Sequence, residues 1–81
     1  MNADVIYTSL RSGSEYRLEL FLKCGMLEWL RESFSNNNEQ TVCSTACAIT
    51  QAQRIDANNN ELILLMTNMM EVSRYGVQSK N

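Results

Sequence analysis

Apolar residues recur at helical spacing through the first half of the chain. Counted from Tyr16, they fall at intervals of four, seven, three and four residues, which places them on one face of a helix. The residues on this face are Tyr16, Leu20, Leu27, Leu30 and Phe34. A second apolar row, made of Leu18, Leu22 and Trp29, lies nearly opposite the first. The pattern predicts one long helix over Ser14–Ser35 that other elements cover on two sides.

The tetrapeptide Asn-Asn-Asn-Glu occurs twice, at Asn36–Glu39 and at Asn58–Glu61. An asparagine side chain accepts hydrogen bonds from the free amides at a helix N-terminus, and a glutamate in the first turn complements the positive end of the helix dipole. Each copy therefore predicts the start of a helix. The two copies divide the chain into three packing segments.

The segment after the first copy, Glu39–Ile55, is rich in small and β-branched residues. It places Val42, Ala46 and Ile49 in one row, with Cys43 beside them. Because small side chains permit close approach between helices, this row is expected to face the neighbouring helices.

The segment after the second copy, Glu61–Tyr75, has an apolar face with Ile63 and Met70 at its sides. The residues of that face are Leu62, Leu65, Met66, Met69 and Val72. Gly76 is expected to end this helix as a glycine just beyond its last turn.

The N-terminal residues allow two interpretations. Ala3–Leu10 is predicted as a short helix capped by Asn2. However, the β-branched residues near its start, and the alternation of apolar and polar residues over Glu15–Leu20, also fit a β-hairpin that turns at Ser12 and Gly13.

The predicted fold is all-α: a small three-helix bundle with a short N-terminal element. The alternative is an α+β fold in which residues 3–23 form a hairpin packed on helices. The 81 residues are expected to form a single domain, with flexible ends at residues 1–4 and 77–81. The three main helices are expected at Ser14–Ser35, Glu39–Ile55 and Glu61–Tyr75.

Composition removes several classes of function. Seven basic and nine acidic side chains give a net charge of −2, without a run of like charges, so nucleic acid is not an expected partner. Histidine is absent, which removes the commonest general base and metal ligand, and three glycines are too few for a phosphate-binding loop. We therefore expect no enzyme, no catalytic residues and no cofactor.

The N-terminal residues lack the basic and apolar regions of a secretory signal, and the longest uninterrupted apolar run is Leu62–Met66. These features predict a cytoplasmic protein that does not enter a membrane. The three cysteines, Cys24, Cys43 and Cys47, are expected to be small buried apolar residues in a reducing compartment, with no metal bound. Cys43 and Cys47 are four residues apart, so a thiol-based redox or metal-binding role is the weakest alternative.

Two apolar rows on the first helix and an almost wholly apolar start of the third offer more apolar surface than three short helices bury. The sequence therefore predicts a non-enzymatic protein–protein interaction module: a small adaptor, inhibitor or chaperone-like regulator that forms a homodimer or binds another protein. No small-molecule ligand is indicated. A small DNA-binding regulator is the alternative function. The predicted contact residues are Leu18, Leu22, Trp29, Met66, Met69 and Met70.

Overall fold

A computed structural model describes residues 2–35 and 38–79, the last eight of these by their backbone alone. Within these residues the chain forms five helices and no strand, so the predicted all-α class is confirmed. The hairpin alternative for residues 3–23 is wrong, because both of its proposed strands lie in helices. The helices are α1 (Ala3–Leu10), α2 (Glu15–Lys23), α3 (Met26–Phe34), α4 (Glu39–Ile55) and α5 (Asn60–Ser79).

The first two helices begin at side-chain caps. The Asn2 side chain accepts a hydrogen bond of 2.7 Å from the backbone amide of Asp4, as the sequence predicted for α1. The chain turns after α1 at Gly13, whose φ is +77°. Ser14 then caps α2, because its hydroxyl oxygen accepts from the amide of Arg17 at 3.2 Å.

The single helix predicted over Ser14–Ser35 is wrong, because the chain breaks between α2 and α3 at Cys24 and Gly25. Gly25 has a φ of +88°, in the left-handed region where glycine has no steric penalty. The amide of Cys24 still donates to the carbonyl of Leu20, whereas that of Gly25 donates to Leu22 in a tighter turn. The helix direction therefore changes at Gly25.

Asparagines start the last two helices, as the repeated tetrapeptide predicted. The Asn38 side chain accepts from the amides of Gln40 and Thr41, and the Asn59 side chain accepts from the amides of the second and third residues of α5. The capping residue is thus the third asparagine in one copy and the second in the other. The predicted stop at Gly76 is wrong, because α5 continues to Ser79.

Helix α4 is the centre of the packing and contacts each of the other four helices. The Gln51 side-chain amide on α4 donates to the backbone carbonyl of Leu10 at the end of α1, at 2.9 Å. The N-terminal residues of α1 and α4 line a common cleft, so these two helices run parallel. The buried hydrophobic cluster consists of Ile6, Leu10, Leu18, Met26, Leu30, Ala48, Ile49, Ala52, Leu62 and Leu65.

The break at Gly25 changes which apolar residues are buried. Tyr16 and Leu20, from the first predicted face, are exposed, whereas Met26 is fully buried. Residues Leu18 and Leu30, from opposite predicted faces, meet in one core. Two helices joined at an angle thus bury residues that one straight helix would place on different sides.

On α4 the buried row is Thr45, Ala48, Ile49 and Ala52, which is displaced around the helix from the predicted row. Thr45 is the one buried polar side chain among the described residues, and its hydroxyl donates to the carbonyl of Thr41 at 2.7 Å. A polar residue can therefore occupy this core because its own helix supplies the hydrogen-bond acceptor.

The predicted apolar face of α5 agrees with the structure: Leu62 and Leu65 are buried, and Met66 and Met69 pack against the core. The Val72 side chain lies outside the described residues. At the ends of the chain, where flexibility was predicted, Ala3 and Asp4 belong to α1 and α5 extends to Ser79. Residues 1, 80 and 81 lie outside the described residues.

Candidate interaction surface

The six predicted contact residues do not lie on one surface. Leu18 is only 3% exposed, inside the core, so it is not available for contact with another molecule. Four others are partly buried against the core, namely Leu22, Trp29, Met66 and Met69. Met70 is the one of the six that is largely exposed, at 63%.

Leu22 and Trp29 line two different clefts. Leu22 lines a cleft between α2 and the end of α4, together with Glu15, Glu19 and Asp56. Trp29 lies in a cleft of about 350 Å³ that the first turns of α1 and α4 also line. Leu22 and Trp29 therefore lie in separate clefts.

Met66 and Met70 of α5 form an apolar row with Ile63, which was predicted at the side of the apolar face and not as a contact residue. Ile63, Met66 and Met70 are spaced by three and four residues, so they lie in line along two turns of α5. Ile63 is 39% exposed, Met70 is 63% exposed, and Met66 is partly buried. We call these three residues the α5 ridge.

The two charged side chains of α5 that the structure describes, Glu61 and Glu71, lie away from the ridge. At 100° per residue, Glu71 is about 110° around the helix from the middle of the ridge, and Glu61 is on nearly the opposite side. Leu64, which is 59% exposed, lies on the same side as these two glutamates. Over residues 60–71, where the side chains of α5 are described, the ridge is therefore an uncharged strip, and Leu64 is an exposed apolar residue outside it.

Other exposed large hydrophobic residues are more isolated. Val5 is alone on the outer side of α1, whereas Tyr16 and Leu20 are one turn apart on α2. Lys23 follows on the same side of α2, and Glu19 is beside it, so charged groups surround this pair. The α5 ridge is the longest uncharged apolar row among the exposed helix faces described.

The prediction that the cysteines are buried is wrong. Cys24, Cys43 and Cys47 are all free and exposed. Cys43 and Cys47 are one turn apart on the side of α4 that faces away from its buried row. The described residues contain no group of three or more potential metal ligands. The spacing of the pair can be seen in the sequence, but the direction in which the two thiols face depends on how α4 packs.

Within the described part of the chain, every buried side-chain nitrogen or oxygen has a hydrogen-bond partner. The same residues contain no helix that is both long enough and apolar enough to cross a membrane. Comparison of the chain with protein-family models, with curated proteins and with solved structures gave no significant match.

Proposed function

We propose that the protein is a non-enzymatic interaction module that associates with a second copy of itself through the α5 ridge. The observation that carries this proposal is the row of Ile63, Met66 and Met70, which lies beside the buried face of α5 and is exposed at Ile63 and Met70. Water contacts these apolar side chains in the monomer, and their burial would be favourable by about 25 cal/mol for each Å² removed from water.

The spacing of the ridge favours another helix as the occupant. Intervals of three and then four residues are those by which one helix packs along another in a shallow crossing. An antiparallel pair of ridges, related by a twofold axis near Met66, would place Ile63 of one copy against Met70 of the other. The same patch then serves both copies, as in most symmetric dimers.

The described charges of α5 leave the ridge free for self-association. The net charge of −2 makes two copies repel weakly, but Glu61 and Glu71 lie outside the ridge and need not be buried in the dimer. Two turns of helix form a small contact, well below the roughly 1,600 Å² of a standard interface. We therefore expect a weak dimer that depends on protein concentration.

The test is the solution mass of the reduced protein by light scattering, over a concentration series that reaches the millimolar range. The mass is expected to rise from 9.3 kDa toward twice that value. Met70→Asp and Ile63→Asp should each abolish the rise, because a carboxylate would have to be desolvated against an apolar side chain of the other copy.

Leu64→Asp is the matched control, because it introduces the same charge on the same helix at an exposed position outside the ridge. It should dimerise like the original protein, and circular dichroism should show that all three variants fold. A monomer at every concentration, or equal loss of dimer with Leu64→Asp, would contradict the proposal.

The alternative of DNA binding is not favoured by the exposed side chains described on α5. Asn68 is one that could contact a base, but Ile63, Leu64 and Met70 are apolar, and the two glutamates would repel phosphate groups.

A further inference from the structure

Cys43 and Cys47 on the outer side of α4 form a pair of thiols that belongs neither to the core nor to the α5 ridge. Cys43 and Cys47 are both exposed, although free cysteine is among the residue types that proteins most often bury. The core-facing residues Thr45, Ala48 and Ala52 point to the opposite side of α4. Both sulfur atoms are therefore accessible from solvent on one side of one helix.

The helix sets the separation of the pair. Side chains four residues apart on a helix have Cβ atoms about 5–6 Å apart. A disulfide requires Cβ atoms about 3.5–4.5 Å apart, so Cys43 and Cys47 cannot join without distortion of α4. A metal ion can join the two side chains with less distortion of α4, since two metal–sulfur bonds of about 2.3 Å allow the sulfur atoms to be up to about 4.6 Å apart.

The number of available ligands limits which metal ion Cys43 and Cys47 can bind. Structural zinc requires four ligands, but the described residues contain no group of three or more cysteine, aspartate or glutamate side chains that could hold a metal. Thiolates are soft ligands that select Cu(I) among other metals, and Cu(I) is stable with two thiolates in a nearly linear arrangement. We infer that Cys43 and Cys47 form a two-thiolate binding site for Cu(I).

Binding at this site involves no oxidation or reduction. Two S–H bonds lose their protons, two copper–sulfur bonds form, and the ion remains Cu(I) throughout. Because the ligands must be deprotonated, up to two protons are released for each ion bound, and affinity rises with pH.

The experiment is an anaerobic titration of the reduced full-length protein with Cu(I), in competition with a coloured Cu(I) chelator. One ion per chain is expected, with two sulfur neighbours in the copper X-ray absorption spectrum. Cys43→Ser or Cys47→Ser should each weaken binding by about a hundredfold or more, because the second thiolate no longer binds as part of the same molecule.

Cys24→Ser is the matched control, since Cys24 is also exposed but has no thiol one turn away. It should bind Cu(I) like the original protein. Serine differs little from cysteine in size, so these exposed substitutions should keep the fold, and circular dichroism checks this. Equal weakening by all three variants, or no binding that competes with the chelator, would overturn the inference.

A zinc titration tests whether the thiols of two copies instead form one shared site. One zinc for each two chains, with four sulfur ligands and a doubled solution mass, would show a site shared between copies and would overturn the two-thiolate assignment. The copper titration is repeated on Ile63→Asp, in which the α5 ridge is disrupted. Unchanged copper binding in that variant is expected, because the two sites are on different helices.

Discussion

Gly25 determines the path of the chain between α2 and α3. Its φ of +88° is unfavourable for every residue with a Cβ atom, whereas a Cβ placed there would meet no atom within 4 Å. The penalty for Gly25→Ala is therefore conformational and not steric. We expect Gly25→Ala to lower the free energy of unfolding by about 1 kcal/mol, as measured by urea denaturation.

Gly25→Asn is the control for this prediction, because asparagine tolerates the left-handed conformation better than alanine. It should lose less stability than Gly25→Ala. If Gly25→Ala instead has unchanged stability and a stronger helical signal by circular dichroism, the two helices can fuse and the left-handed turn is not required by the fold.

At the scale of whole helices, local sequence predicted most of the boundaries. α1 and α4 have the predicted bounds, and α5 begins one residue earlier than predicted. These starts depend on asparagine caps, which act within three residues and can therefore be found in a sequence. The ends of the helices are harder to predict. Gly25 follows the end of α2, whereas Gly76 lies within α5, although both glycines come after apolar residues at helical spacing.

The apolar spacing gave no warning of the break at Gly25. Leu20 and Leu27 are seven residues apart, which keeps them on one side of a continuous helix, yet they lie in different helices. The packing of α2 and α3 on the other helices buries Met26 and leaves Leu20 exposed. Periodicity reports which faces are apolar, but it cannot report a change of helix direction.

The start of α5 provides a prediction about caps. The Asn59 side-chain oxygen accepts from the amides of Glu61 and Leu62, at 3.0 and 3.2 Å. Asn59→Ala removes this acceptor and should lower the free energy of unfolding by about 1 kcal/mol in urea denaturation. Asn59→Ser keeps a side-chain acceptor at the cap without placing a second carboxylate beside Asp56, and it should retain most of the stability.

The neighbouring Asn58 supplies the matched control, because it is exposed and precedes the capping residue. Asn58→Ala should change stability by less than about 0.5 kcal/mol. Equal losses from Asn58→Ala and Asn59→Ala would show that both asparagines contribute to the connection from α4 and that α5 does not depend on one cap.

At the scale of the whole molecule, the candidate surface could be predicted only in part. The run Leu62–Met66 is apolar at five successive positions, so it must expose some of them on any helix. Which of them are exposed depends on how α5 packs on α3 and α4. That packing buries Leu62 and Leu65 and leaves Ile63 and Leu64 in solvent. The exposed direction of Cys43 and Cys47 has the same origin.

Leu62 and Leu64 test this division of α5 directly, since they are the same residue type two positions apart. Leu62 is fully buried and Leu64 is 59% exposed. Leu62→Ala should lower the free energy of unfolding by about 3 kcal/mol, because it removes core contacts and leaves a cavity, whereas Leu64→Ala should change it by less than about 0.5 kcal/mol. Urea denaturation at low protein concentration measures both values in the monomer. A comparable loss from Leu64→Ala would mean that the side of α5 that carries Leu64 is covered within one chain, and Leu64 would then be unsuitable as the exposed control for the α5 ridge.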